Sequence, residues 1–140
     1  MFVNTSKPLD LHSEMIRLRP GGGAVVAPRE HMADGAAAGE RIVAAFRAED
    51  DSAVHPDVWE RHPDGEEVLY VRSGAVRVHL HSGDGADSEN SSTVASGEAF
   101  VVPRGRWHRL SVVEPADLVT ITPPVDTGHM PVSGPSPTRR

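Results

Sequence analysis

Short apolar segments of about five to seven residues recur along the second half of the chain, cut apart by Gly and Pro turns, and this spacing predicts strands. They fall at 57–62, 66–72, 75–81, 92–94, 98–102, 107–113 and 117–122. Two earlier segments, 24–27 and 41–47, are apolar enough for strands, with a loop over 28–39. Residues 1–22 offer little to bury and read as an arm or irregular lead-in, while 125–140 is a Pro- and Gly-rich tail. One domain over 23–124 is the expected organisation. Ser73-Gly74 directly links two of the segments and predicts a two-residue hairpin, pairing 66–72 with 75–81. The stretch 82–90 is small and acidic and reads as a solvated loop; it lacks the ligand spacing of a calcium-binding loop.

Side chains two apart on a strand share a face, which turns this pattern into chemistry. Glu60 and His62 lie on one face, and the turn Pro63-Asp64-Gly65 returns the chain so that Glu67 comes back beside them. Glu67 shares its face with Leu69 and Val71, and His108, after the turn Pro103-Arg104-Gly105, shares its face with Leu110 and Val112. Glu60, His62, Glu67 and His108 are thus expected to meet inside an apolar wall that includes Val58, Leu69, Phe100 and Leu110 as pocket residues. Carboxylates and imidazoles buried together are costly unless paired or liganded to a cation, and one divalent metal ion resolves that cost. The opposing reading is a barrel without metal, in which Glu60 pairs with Arg61 or Arg106.

Composition narrows the options. Twelve Pro and thirteen Gly placed as punctuation suit an all-β chain. The chain has no cysteine, so disulfides and thiolate ligands are excluded and every metal ligand must be His or carboxylate. With 14 basic and 20 acidic residues the net charge is -6, which disfavours nucleic acid and anionic membranes as partners. No apolar run approaches a membrane span and no basic-then-apolar leader opens the chain, so a cytoplasmic protein is expected. A serine triad is disfavoured because no G-x-S-x-G occurs. His79-Leu80-His81 holds the only literal His-x-His, but both histidines share a face with Arg77 and are expected to point to solvent. Trp59 and Trp107 neighbour ligands in sequence and so project to the opposite face, where they suit packing between sheets or subunits.

Gly97, Pro103, Gly105 and His108 fall at the spacing G-x5-P-x-G-x2-H, and Glu60-x-His62-x4-Glu67-x6-Gly74 at the spacing H-x-H-x4-E-x6-G with Glu60 in the first place. In these two stretches the chain resembles the cupins, and Trp59 to Pro63 with Trp107-His108 is similar to small single-domain members of mostly unassigned function. The resemblance departs at Val54, Glu60 and Val112, which stand where the family has Gly, His and Asn. It implies a jelly-roll barrel, the double-stranded β-helix, with metal ligands at His62, Glu67 and His108 and Glu60 in place of the first histidine. A set of two His and two carboxylates suits Fe(II), Mn(II) or Zn(II) better than copper. Three roles stay open: an enzyme acting on a small oxygen-bearing molecule, such as a dioxygenase with iron or an isomerase with zinc or manganese; a non-catalytic binding or sensing module without metal; and a structural barrel. A homodimer is expected because jelly-roll edges need covering.

Overall fold

The computed structural model describes residues 7–31, 34–82 and 89–132. Among them nine strands follow in chain order: β1 (Glu14–Leu18), β2 (Ala24–Pro28), β3 (Arg41–Ala48), β4 (Val58–Arg61), β5 (Glu67–His81), β6 (Glu89–Ala95), β7 (Ala99–Val102), β8 (His108–Thr122) and β9 (Gly128–Pro131). Two 3-10 turns, Arg29–His31 and Asp51–Val54, are the helical elements among the described residues, so no helix there is long and apolar enough to cross a membrane.

All pairings are antiparallel, and β8 organises them. Its Thr122 end pairs with β3 from Ile42↔Thr122 to Ala48↔Ala116, and its His108 end pairs with β4 at Glu60↔His108. Along its other edge runs β5, which in turn carries β6 and β7. One strand shared between two partners in this way bends a sheet round on itself. The architecture is an all-β jelly roll, as the resemblance in the sequence implies. Its filling is the buried set Ala48, Leu69, Val71, Val76, Val78, Val94, Ala116 and Leu118, with Phe46, Phe100 and Leu110 packed against it.

Four expectations need correction. Ser73-Gly74 is no hairpin: β5 runs through it as one strand, and 66–72 does not pair with 75–81. Gly74 does take a positive φ of 81°, but it serves a bulge, because a Cβ there would fall 2.0 Å from the carbonyl oxygen of Pro115 on β8. The pairing with β8 shifts register on both sides of it, between Val71 and Val76. Likewise 107–113 and 117–122 join into the single strand β8. The arm is not wholly irregular: β1 docks because Met15 is fully buried against Ile42 and Ala44, and because Arg17 pairs with the buried carboxylate of Glu40. The tail also contributes a strand, β9, whose four residues pair with β4. Of the loop at 82–90, residues 83–88 lie outside the described residues.

Candidate metal centre

Two turns hold the site together. His62 leaves β4, and its carbonyl accepts from the N–H of Gly105, 3.1 Å away, while the Arg104 Nε donates to the Pro63 carbonyl at 2.7 Å. The turn before Glu67 and the turn before His108 are therefore tied to each other. Gly105 reaches this geometry with a φ of 74°, the left-handed region that favours glycine. Glu60 and His108 are register partners across β4 and β8, and Glu67 opens β5 on the other side.

The four side chains converge. Glu67 Oε1 lies 3.0 Å from His108 Nε2 and 3.5 Å from His62 Nε2, and Glu60 Oε1 lies 3.7 Å from His62 Nε2. Ligand atoms of Glu60, His62 and His108 all fall within 4.8 Å of one another. Neighbouring ligands held at ~2.1 Å from a common ion stand roughly 3–3.5 Å apart, so these separations suit an ion with little rearrangement.

Hydrogen bonding at the back of each ring decides what its front offers. His108 Nδ1 faces the Arg106 carbonyl at 3.2 Å, a pure acceptor, so Nδ1 carries the proton. His62 Nδ1 lies 3.1 Å from Thr127 Oγ1, whose own hydroxyl donates to the Pro124 carbonyl at 3.4 Å. Both Nε2 atoms thus aim lone pairs at carboxylates. Two acceptors facing each other repel unless a proton or a cation stands between them, and the buried His62 Nε2 has no hydrogen-bond partner. Thr122 donates to Glu67 Oε2 at 2.7 Å, fixing the carboxylate from behind. Burial pushes the Glu67 carboxyl up, but the hydrogen bond from His108 and the nearby charge of His62 and His108 outweigh it and hold it down at about 2. Burial lowers His108, yet the Glu67 contact prevails and raises it. The site therefore stabilises positive charge between these groups.

The site opens on a cavity with two joined lobes of about 310 and 550 Å³. Val58 and Leu110 line it, together with Phe46 and Thr120. Leu69 and Phe100, expected there too, instead pack in the core, Leu69 being 2% exposed. Arg61 and Arg106 do not pair with Glu60: Arg61 lies over the Trp107 ring and the Arg106 Nε donates to the His81 carbonyl. His79 and His81 are away from the site but half-buried rather than solvent-facing, His79 beside the Ser111 hydroxyl at 2.8 Å and His81 edge-on to Trp59. Trp59 is itself buried, with Arg109 over its ring. Three contributors escaped the sequence reading: Thr122 and Thr127 carry no motif, and Arg29 lies in a segment read as loop. His129, which the sequence allows to fold over the barrel mouth, arrives on the unexpected β9 with its Nε2 3.3 Å from Glu60 Oε2.

A family model described as "Cupin domain" matches residues 51–122. No curated protein sequence matches the chain. Among solved structures, a cupin-2 domain containing protein from Shewanella frigidimarina is 21% identical over 59% of this chain and 70% of its own, with a TM-score of 0.45. Oxalate decarboxylase from Bacillus subtilis, a structure described by its Mn(II) centres, is 18% identical with a TM-score of 0.49, over 66% of this chain and 24% of its own. The chain therefore spans 24% of the length of that enzyme.

Proposed function

Starting from a chain that belongs to the cupin domain family, we propose that Glu60, His62, Glu67 and His108 hold one divalent metal ion and that the cavity beside it receives a small oxygen-bearing molecule. The observation that carries the reading is the pair of Nε2 lone pairs, both fixed by bonds at Nδ1 and both aimed at carboxylates. Imidazole and carboxylate ligands fit Fe(II), Mn(II) or Zn(II). When bound, such an ion supplies Lewis acidity to an oxygen of the ligand or, as iron, a seat for dioxygen. The chain does the rest. Thr127, Thr122 and the Arg106 carbonyl orient the ligand atoms, as outer partners do in metal sites. Phe46, Val58 and Leu110 keep water from the apolar wall. Glu60, 40% exposed at the rim and 3.3 Å from His129, is the carboxylate placed to accept a proton from a bound molecule.

A second reading, a small-molecule binding module without metal, is favoured by one contact: at 3.0 Å, a proton on His108 Nε2 alone satisfies Glu67. Elemental analysis of protein purified without chelator separates the two. The metal reading expects close to one equivalent of Fe, Mn or Zn, lost in His62→Ala and His108→Ala and kept in His79→Ala and His81→Ala. Absence of metal, unchanged after refolding with each ion, leaves the module.

A further inference from the structure

The cavity contains a cation that the metal site does not use. Arg29 follows β2 and lines the same lobe as Glu60, His62 and Glu67. Its Nη1 donates to the carbonyls of Leu11 and Ala45 at 2.9 and 2.8 Å, which anchors the guanidinium at the edge of β3. Its Nε is closed off from solvent with no partner. Among the described residues no carboxylate pairs with it, in contrast to Arg17 on Glu40 and Arg47 on Asp117. Ile42, Ala44, Phe46 and Val54 form an apolar part of the same lobe.

Charge defines what is missing. Glu60 and Glu67 offset the two charges of a divalent ion, so the guanidinium remains unmatched beside an apolar wall, an arrangement that favours an incoming anion. The cavity volumes of about 310 and 550 Å³ limit that anion to a small molecule.

We propose that the cavity takes a short aliphatic acid with oxygen functions at both ends, one on the metal and the other, a carboxylate, on Arg29. This rests on the metal reading above and adds the chemical class of ligand to it. Arginine suits the role because its guanidinium stays charged and keeps N–H donors beyond the Nη1 pair held by the Leu11 and Ala45 carbonyls.

Glutarate, a short aliphatic acid with a carboxylate at each end, serves as the probe in calorimetric titration of the metal-loaded full chain. Arg29→Gln is expected to weaken glutarate binding about 10- to 100-fold, the loss of one charge-assisted contact, with metal content unchanged and Arg29→Lys intermediate. Glutarate monoamide is expected to bind wild-type protein more weakly than glutarate by at least about tenfold, a comparison that stands if Arg29→Gln fails to fold. Equal binding of the two probes, equal binding by wild type and Arg29→Gln, or no glutarate binding by the loaded protein overturns the proposal and leaves the metal reading intact. A chain that takes up no metal, read by elemental analysis, overturns both.

Discussion

Replacing Glu67 by Gln in metal-free protein isolates the electrostatics of the site. The Glu67 carboxyl is held at about 2 against an ordinary 4.5, so its contribution is fully present above pH 4.5 and lost as pH falls towards 2. At ~1.4 kcal/mol per pKa unit that contribution is roughly 3 kcal/mol. His108 gives the upper limit of the window: its pKa is raised above 6.5, so the same contact stabilises fully below pH 6.5 and fades as pH rises through the raised value. Stability of the metal-free chain from this pair therefore peaks between 4.5 and 6.5. The oxygen of a glutamine amide can accept from the protonated His108 Nε2, filling the place while removing the charge. Urea unfolding at about pH 5.5 and about pH 2.5 reads the difference. Asp117 and Asp50, held low by hydrogen bonds from Ser73 and Ser52, contribute an acid loss common to both proteins. Wild type minus variant should shrink by about 3 kcal/mol on acidification. Parallel losses in the two proteins would refute the reasoning, since Glu67 would then be no better stabilised as a carboxylate in the fold than in the unfolded chain.

Further measurements probe the supports of the site and of the barrel. Thr127→Val removes the acceptor behind His62 Nδ1 and should weaken metal affinity about 10- to 100-fold in chelator competition, with Thr127→Ser close to wild type; an unchanged affinity in Thr127→Val means that the ring needs no such brace. Gly74→Ala places a Cβ 2.0 Å from the Pro115 oxygen at a φ of 81° and should cost roughly 2–5 kcal/mol in denaturant unfolding. A loss below ~0.5 kcal/mol would mean that the bulge relaxes freely.

The ligand positions were legible because strand parity and turn chemistry act locally. Glu60 and His62 share a face at any register, and glycine at 105 announces its own positive φ. The same local logic failed at Gly74. A positive φ serves a hairpin or a bulge equally well, and what selects the bulge is the backbone of Pro115, more than forty positions away in sequence and invisible to a local reading. Long-range contacts also hid β1 and β9. Met15 is a single apolar residue among polar ones until Ile42 and Ala44 are placed beside it, and β9 is held through its pairing with β4. Leu69 and Phe100 show the limit of face parity: a residue on the inner face goes to the core or to the cavity according to its depth, which the alternation does not encode.

His62 is braced by Thr127 and Glu60 is approached by His129, and both partners lie beyond residue 122, where the match to the family ends. Two of the supports thus belong to a different stretch of chain from the four site residues. On the proposed metal reading, substitutions after the barrel would retune how tightly the centre holds an ion while the four site residues and every barrel strand stay as they are. A chimera that grafts only the matched region onto another scaffold would carry those four residues without the Thr127 brace that fixes one of them.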